Sequence, residues 1–331
     1  MKKYLIYSIL FAFVATISFT GCKYDDTCDC TGSSAAYKTL TTHLKSIDMD
    51  LNHVIKNANG QKFVMGAPAD GDLSGKWILD IRKASDFGTA HIAGAHNVAF
   101  TDILTAATGA DKPILVVCYT GQTACYATSL LRLYGFEDTQ ALKWGMSGWN
   151  TTFDKWTANC KDLTTSSNWN STVNASGSFT APTWTSSTTD GASLLKERVE
   201  AVVKAGFKTV SNADVLASPD NYYVNNFFSD PHYKGFGHVN GAVRESPLLI
   251  DNFGSLDNEG KVVTYCYTGQ TSAVITAYLN VCGFDAYSLT FGINGMSHSN
   301  PFWATGGTDG NPVTNHWGHD SNPKDFPTES N

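Results

Sequence analysis

The chain has 331 residues, of which 42% are hydrophobic and 12% aromatic, so it is long enough for two globular domains with ordinary cores. Its formal net charge is -7 and no Lys/Arg-rich block follows the first residues, which argues against nucleic-acid binding. The number and spacing of its eight cysteines do not resemble a small scaffold held together by disulfides.

Residues 1–21 have the layout of a secretory signal, with Lys2 and Lys3 followed by an apolar span and then Gly21-Cys22. The ending Phe19-Thr20-Gly21-Cys22 resembles a bacterial lipobox, which implies that Cys22 becomes the lipidated N-terminus. We therefore expect a lipid-anchored protein of the cell envelope, on the periplasmic or outer-membrane side. An uncleaved membrane anchor and ordinary signal cleavage are the alternatives.

Residues 22–36 are polar and short-sided, which predicts a flexible tether to the membrane. Cys28 and Cys30 lie in it, but two ligands are too few for a closed metal site. A helix is then predicted up to Asn59-Gly60, because apolar residues recur at spacings of four and three. These residues are Leu40, Leu44, Ile47, Leu51 and Val54.

The segment Trp77–Arg82 is typical of a buried strand that places Asp80 and Arg82 near its carboxyl end. The segment Phe87–Ala95 follows it and contains His91.

A cysteine loop, Cys118-Tyr119-Thr120-Gly121-Gln122-Thr123, follows the apolar strand Ile114–Val117 and precedes a helix-like segment. A loop between a buried strand and a helix N-terminus directs several backbone N–H groups at one point, where the helix dipole favours an anion. Gly121 suits the tight turn. The sequence therefore predicts that Cys118 is a thiolate at neutral pH, with a lowered pKa.

The helix after this loop contains Cys125 and is expected to end at Gly135, and another strand follows at Gln140–Trp144. Cys125 could resolve a persulfide on Cys118, but a cysteine on a helix face is more often buried packing. Trp144 and Trp149 could line a small-molecule site, although core packing is the expected role of at least one of them.

Residues 151–190 are rich in Ser, Thr and Asn, which indicates a linker or a surface excursion. The second half then repeats the first at an offset of about 148 residues, with a second loop, Cys266-Tyr267-Thr268-Gly269-Gln270-Thr271. His238 corresponds to His91, but Val224–Phe228 replaces the acidic and basic pair. Both loops keep their cysteine, and the residues alone do not decide which of the two cysteines is catalytically active.

The tail from 301 to 331 is rich in Gly, Asn, Pro and Asp and contains His316 and His319. Glycine and prolines around them make a helix improbable, so we expect adventitious surface histidines and no metal site.

The Cys-x-x-Gly-x-Thr loop after a strand resembles the active-site loop of the rhodanese (sulfurtransferase) family, and His91-Ile92-Ala93-Gly94-Ala95 is similar to a second segment of that family. The resemblance implies that Asp80, Arg82 and His91 are mainly structural hydrogen-bonding groups at the edge of the active site, with direct substrate contact as the alternative. The resemblance implies an α/β fold of two rhodanese-like domains, residues 37–150 and 191–300, each a central, mostly parallel sheet flanked by helices. The related phosphatases need an arginine six residues after the cysteine, where this chain has Ala124 and Ser272.

A thiolate among backbone N–H groups is suited to attack on a sulfane sulfur, which predicts a sulfurtransferase that works through a cysteine persulfide. The expected catalytic residues are Cys118 and Cys266, with an anion-binding loop and supporting polar groups. The loop residues are Tyr119, Thr120, Gly121, Gln122, Thr123 and Ala124, with Tyr267, Thr268, Gly269, Gln270, Thr271 and Ser272, and the supporting residues are Asp80, Arg82, His91 and His238.

No cofactor is expected, and the partners are a small sulfur-containing substrate, the membrane through the lipid, and an envelope redox protein. The loops contain no Lys or Arg, which weakens the case for thiosulfate against organic persulfides, polysulfide or mercaptopyruvate, although Arg82 or Lys143 could supply charge. The competing interpretation is a non-catalytic sulfur or chalcogen carrier, or a binding scaffold with degenerate domains.

Overall fold

The computed structural model describes residues 34–330. The expected signal segment, Cys22, and the cysteines of the tether, Cys28 and Cys30, lie outside the described residues. Within residues 34–330, no helix is both long enough and apolar enough to span a membrane.

The first domain is a parallel sheet with helices on its two faces. Its elements are α1 (Ser34–Ser46), α2 (Leu51–Ile55), β1 (Val64–Met65), β2 (Trp77–Asp80), α3 (Ala84–Thr89), β3 (His96–Asn97), α4 (Ile103–Ala107), β4 (Ile114–Val117), α5 (Gln122–Leu133), β5 (Gln140–Leu142) and α6 (Gly145–Trp149). The strands pair in the order β1-β5-β4-β2-β3. All four residues of the central strand β4 are buried, as expected for a parallel strand that is covered on both faces.

The second domain repeats this arrangement, and a short strand before it pairs antiparallel with a strand inside it as a separate two-stranded sheet. The remaining elements are β6 (Trp169–Asn170), α7 (Gly191–Ala205), β7 (Thr209–Val210), α8 (Asn212–Ala217), β8 (Tyr223–Asn226), α9 (Asp230–Phe236), β9 (His238–Val239), β10 (Val262–Tyr265), α10 (Gln270–Val281), β11 (Ala286–Leu289) and α11 (Phe302–Thr305). The parallel strands of this sheet pair in the order β7-β11-β10-β8, which matches the first four strands of the other sheet. The predicted α/β class with two parallel sheets flanked by helices is confirmed.

The two helices that follow the cysteine loops, α5 and α10, pack directly on each other. The Ser129 hydroxyl donates to the Val274 carbonyl at 3.2 Å, and the Asn280 side-chain amide donates to the Tyr126 hydroxyl at 3.3 Å. Apolar side chains of both helices belong to one continuous core, which also contains residues of α1 and α7. The two sheets therefore share one core between them, and each sheet also has an apolar cluster of its own.

The leading helix differs from the prediction, because it is broken into α1 and α2. Asp48 adopts a left-handed conformation, with φ of 58°, which an α-helix does not tolerate. The Asp50 carboxylate then accepts hydrogen bonds from the backbone N–H groups of Leu51 and Ile250. Ile47 is 45% exposed as a result, whereas the other four periodic residues are buried as expected.

The predicted strand Trp77–Arg82 is also shorter than expected, because β2 ends at Asp80. The Asp80 carboxylate accepts a hydrogen bond from the backbone N–H of Arg82, which turns the chain away from the sheet.

Residues 151–190 and the tail contain little regular structure but pack on both domains. Trp156 is fully buried and its ring contacts those of Trp144, Trp317 and Phe291. Near the end of the chain, Glu329 exchanges two backbone hydrogen bonds with His91, at 2.8 and 2.9 Å. Composition predicted a linker or surface excursion here, because single buried aromatic residues such as Trp156 produce no periodic pattern in the sequence.

The shared core predicts a large loss of stability when Tyr126 is truncated. Its fully buried ring packs against Phe207 of the second domain, with centroids 4.6 Å apart. Tyr126→Ala should lower the free energy of unfolding by about 3–5 kcal/mol through the lost burial and the cavity left behind. Urea denaturation followed by circular dichroism measures this change.

Val173→Ala is the control, because Val173 is 61% exposed and its truncation should change stability by less than about 0.5 kcal/mol. Wild type should unfold in one transition. Two separate transitions, with only one of them moved by Tyr126→Ala, would contradict a core shared by both sheets.

Candidate active site

Cys118 lies where β4 ends and the chain turns into α5. Gly121 makes this turn possible, because its φ of 84° is in the left-handed region that glycine adopts without strain. A side chain there would also collide with the second domain, since a Cβ atom would lie 2.5 Å from the Gln270 side-chain nitrogen. Only glycine fits both the turn and the close approach of the other loop.

The Cys118 sulfur accepts two backbone hydrogen bonds from its own loop, as the sequence predicts. The N–H of Gly121 lies 3.2 Å from Sγ and the N–H of Ala124 lies 3.3 Å from it. These donors sit at the start of α5, so the helix dipole adds to their positive potential.

The predicted lowering of the Cys118 pKa is wrong in direction. Cys118 is only 3% exposed, and burial raises the pKa of its thiol. The N–H groups of Ala124, Thr120 and Gly121 oppose this rise, while the carboxylate of Asp80 adds to it. The sequence argument considered the donors of the loop but could not see how much water the fold removes.

Asp80 and Arg82 form a fully buried ion pair behind the loop, with 2.6 Å between Arg82 Nη2 and Asp80 Oδ2. Arg82 also donates to the Ala90 carbonyl at 2.8 Å, and its guanidinium lies 5.8 Å from the centre of the Tyr119 ring. His91 Nδ1 hydrogen-bonds the Phe87 carbonyl at 2.9 Å. All three polar side chains therefore hold the backbone around the loop, and the charge of Arg82 is already paired.

Cys118 opens onto a cavity of about 650 Å³ that both domains line. From the first domain and the segment after it come Lys83, Asp86, Cys118, Tyr119, Thr120, Gln122, Thr123 and Lys155, and from the second domain come Phe207, Thr209, Thr290 and Phe291. The two lysines are exposed at its rim. The Tyr119 hydroxyl donates to the Asp86 carboxylate, and burial together with this bond raises the pKa of Tyr119 to about 12.

Sequence analysis missed the residues that give this cavity its charge and its apolar wall. Lys155 belongs to the segment expected as a linker, and Phe207 and Phe291 belong to the second domain. The residues proposed instead are elsewhere: Lys143 lies 5.2 Å from the centre of the Trp144 ring, and Trp149 packs on Phe326. Arg82, Lys143, Trp144 and Trp149 are not among the described residues that line the cavity.

The two cysteine loops meet through their glutamines. The Gln122 side-chain oxygen accepts a hydrogen bond from the Phe291 backbone N–H at 2.8 Å. In the opposite direction, the Gln270 side-chain amide donates to the Thr120 carbonyl at 3.2 Å. Each glutamine side chain therefore hydrogen-bonds the backbone of the other domain. Gln122 does so at Phe291, which lines the cavity, and Gln270 does so at Thr120, which belongs to the Cys118 loop.

The Cys266 loop has the same turn but closer surroundings. The Ser272 N–H lies 3.4 Å from Cys266 Sγ, and the Ser272 hydroxyl lies between that sulfur, at 3.8 Å, and the Ser288 hydroxyl, at 2.8 Å. Cys266 is 2% exposed and is absent from the lining of the cavity described above. Gly269 makes the turn with φ of 72°, and the N–H of Gln270 donates to the Thr268 hydroxyl at 3.3 Å.

Aromatic groups replace the buried ion pair behind this second loop. Phe228 stacks on Tyr267, with ring centroids 4.4 Å apart, and Asn226 donates to the Tyr265 hydroxyl at 2.7 Å. Burial raises the pKa of Tyr267. His238 stacks on Tyr233, and burial lowers the pKa of His238. Hydroxyl groups and aromatic rings, with no buried ion pair, therefore surround the Cys266 loop.

Comparison with known proteins identifies the first domain. The family model described as "Rhodanese-like domain" matches residues 66–152. The thiosulfate sulfurtransferase GlpE of Pseudomonas fluorescens strain SBW25 is 35% identical over 82 residues, which are 24% of this chain and 74% of that protein. The protein of the same name from Shewanella oneidensis is 35% identical over 75 residues, 22% of this chain and 74% of its own length.

The chain belongs to the rhodanese family.

Among solved structures, the rhodanese-related protein of Thermoplasma volcanium is 19% identical with a TM-score of 0.24, covering 26% of this chain and 88% of its own. The thiosulfate sulfurtransferase of Pseudomonas aeruginosa is 18% identical with a TM-score of 0.28, covering 81% of this chain and 46% of its own. The matched rhodanese-like segment, residues 66–152, contains Cys118, Lys83 and the Asp80–Arg82 pair.

The other cysteines of this rhodanese chain form no disulfides within residues 34–330. Cys125 is fully buried on α5, and burial, with Cys118 and Cys266 nearby, raises the pKa of its thiol well above the usual range. Cys282 is also buried, and Cys160 is half-buried. A thiol as buried and as weakly acidic as Cys125 is poorly suited to resolve a persulfide on Cys118.

Of the two tail histidines expected at the surface, His319 is exposed but His316 is not. His316 is buried, and its ring is stacked on Trp303 and on His319, at centroid distances of 4.3 and 4.0 Å. His298 joins them from outside the tail. Burial and the two neighbouring histidines lower the pKa of His316 to about 4.

The raised pKa of Cys118 predicts a specific pH dependence of its alkylation. The thiolate is the reactive form, and a raised pKa keeps the thiol protonated at neutral pH. The rate of iodoacetamide addition to Cys118 should therefore be low at pH 7 and should still be rising beyond the ordinary cysteine pKa of about 8.5. Peptide mapping by mass spectrometry across a pH series measures this rate.

Urea-unfolded protein provides the reference, because its cysteines should titrate with ordinary pKa values. A rate that already reaches its plateau below pH 7 in the native protein would show that the loop N–H groups outweigh burial.

Proposed function

We propose that this protein is a sulfurtransferase in which Cys118 takes a sulfane sulfur from a small anionic donor and passes it to a thiophilic acceptor. The observation that carries the proposal is the placement of Cys118 Sγ, which receives two backbone hydrogen bonds and opens onto a cavity large enough for a small donor. The relatives named thiosulfate sulfurtransferase, which match the domain that contains Cys118, support it.

The chemistry takes two displacement steps. The Cys118 thiol first loses its proton to solvent, and the thiolate attacks the outer sulfur of the donor, so that an S–S bond forms while the bond from that sulfur to the rest of the donor breaks. The donor remainder leaves with the electron pair, and Cys118 is now a persulfide anion. An acceptor thiolate then attacks the terminal sulfur and restores the Cys118 thiolate.

The backbone N–H donors of the loop stabilise the negative charge that the Cys118 sulfur carries during these steps. The N–H groups of Gly121 and Ala124 bind the thiolate better than the neutral thiol, because a hydrogen bond to a charged acceptor is the stronger one. They offset part of the cost of the buried negative charge, which keeps the raised pKa of Cys118 from rising further. The chain uses preorganised backbone groups for this purpose and has no base within the loop.

Cys118 is favoured over Cys266 because their surroundings differ, although their loops are nearly identical. Cys118 has the cavity and two lysines at its rim, whereas Cys266 lies against the Ser272 hydroxyl and does not line that cavity. The second domain still contributes to transfer, since Phe207, Thr290 and Phe291 complete the cavity of Cys118.

The donor is proposed to be an anion, such as thiosulfate, an organic persulfide or mercaptopyruvate. Lys83 and Lys155 are at the rim of the cavity, and Asp86 is the one carboxylate among its lining residues. The Tyr119 hydroxyl donates a hydrogen bond to that carboxylate, which partly offsets the negative charge of Asp86. The rim therefore carries a positive excess that attracts an anionic donor.

Replacing the two cysteines one at a time tests the proposal. Cys118→Ser should reduce sulfur transfer from thiosulfate or polysulfide to a thiol acceptor to the level of the protein-free reaction, because serine cannot form the persulfide. Cys266→Ser should keep most of the activity. Steady-state transfer assays and intact-protein mass spectrometry, which detects the added mass of one sulfur atom, measure the two consequences.

Circular dichroism controls for folding, and the two variants control for each other because their loops share the same turn. Wild type that gains no sulfur on Cys118 from any of these donors would exclude the transferase. Wild type that gains sulfur but passes it to no acceptor would instead favour a sulfur carrier.

Lys83→Ala combined with Lys155→Ala should lower kcat/KM for thiosulfate by about 2- to 10-fold at low ionic strength. Two exposed charges near an anion contribute on the order of 1 kcal/mol in total, and added salt screens them. The difference from wild type should therefore shrink as salt is raised from about 20 mM to about 500 mM. Transfer assays across this salt series measure it.

Lys204→Ala is the matched control, since Lys204 is exposed on α7 and is not part of the cavity lining. Equal salt dependence in the double variant and in wild type would show that the two lysines do not attract the donor.

A further inference from the structure

Three histidines from two separate segments meet at a second cavity, which shares no lining residue with that of Cys118. His298 lies in the turn before α11, and His316 and His319 lie in the tail. One ring nitrogen from each can be chosen so that all three lie within 4.8 Å of one another. The cavity measures about 690 Å³, and its lining also includes Asp320 and Trp303.

We infer that His298, His316 and His319 bind a divalent transition-metal ion of the Zn²⁺ type. Neutral imidazole is a preferred ligand of zinc, copper and nickel, and a zinc ion needs ligand nitrogens about 2.0–2.1 Å from the metal. Ring nitrogens within 4.8 Å of one another can converge on such an ion through side-chain rotations alone. Three protein ligands leave at least one position of a tetrahedral ion for water or a small molecule.

The hydrogen bonds of His316 fix its ring in the form that a metal requires. His316 Nε2 lies 2.9 Å from the His298 carbonyl oxygen. A carbonyl can only accept, so Nε2 carries the proton and Nδ1 presents its lone pair. This arrangement, in which the second ring nitrogen donates to a backbone carbonyl, is usual for histidines that bind metals.

The neighbours of His316 hold that ring in place before any ion binds. Trp303 stacks on one side, with the two ring planes 6° apart, and His319 stacks on it as well, with planes 11° apart. The Asp320 carboxylate accepts hydrogen bonds from the backbone N–H groups of Asn315 and His316, which closes the turn that carries His316 and His319. His316 is therefore held ready for an ion, whereas the exposed His319 ring has to turn out of the stack to share that ion.

His298 supplies an independent indication of a missing ligand. Its Nδ1 is shut off from solvent and has no hydrogen-bond partner among the described residues. Buried ring nitrogens are normally satisfied, and each exception calls for a physical explanation. If the His298 ring turns and binds a metal ion, its Nδ1 no longer remains buried without a partner. A stack of histidines that served only to pack the tail would leave this nitrogen without one.

Zinc binding to the full chain, expressed without added histidines, tests the inference. We expect one Zn²⁺ per chain after dialysis, measured by elemental analysis, and an affinity that competition with a chromophoric chelator can quantify. His319→Ala and His298→Ala should each weaken binding by roughly 10- to 100-fold. Neither His319, which is exposed, nor His298, which is half-buried, is needed for the core, and circular dichroism verifies the fold.

His96→Ala is the matched control, because His96 is exposed on β3 in the first domain and should leave zinc binding unchanged. Co²⁺ provides a second readout. Its spectrum should lack the thiolate-to-metal charge-transfer band, which separates this site from binding at cysteines. Wild type that binds no zinc at micromolar concentration, a thiolate band, or His319→Ala and His298→Ala variants that bind like wild type would each overturn the inference.

Discussion

The packing of α5 on α10 is the interaction on which the rest of the molecule depends. Each helix begins at a cysteine loop, so the contact that joins the helices also brings the two loops face to face. Gln122 and Gln270 then bind the backbone of the opposite domain, and glycine at position 121 leaves room for that approach. The cavity of Cys118 is therefore a property of the pair of domains, since a third of its lining residues come from the second domain.

The two domains have similar strands but different chemistry. The first keeps a buried Asp80–Arg82 ion pair behind its loop, and the second has the neutral Asn226 and the Phe228 ring in the corresponding region. Such a pair is stable in the interior only because each charge satisfies the other. The second domain has no such ion pair behind its loop, and it contributes Phe207 and Phe291 to the cavity of Cys118.

The sequence was sufficient for features set by local chemistry. The class of fold, the order of strand, loop and helix, and the backbone donors to Cys118 all follow from residues that are close in the chain. It was insufficient where distant segments meet. Lys155 and Phe291 reach the cavity by long-range packing, and His298 reaches the tail histidines in the same way. The direction in which the pKa of Cys118 shifts depends on burial, which no six-residue motif encodes.

The hydrogen bonds between His91 and Glu329 have a consequence for biosynthesis. Trp149 and Asn150 of the first domain also bind the Pro327 and Phe326 carbonyls, so this late segment covers the domain that the ribosome makes first. The nascent first domain is therefore expected to wait, with that edge uncovered, until the whole second domain has been translated. The contacts of His91, Trp149 and Asn150 with this segment are then the last to form, and the surface that the segment covers stays open to chaperones and proteases until it has been made.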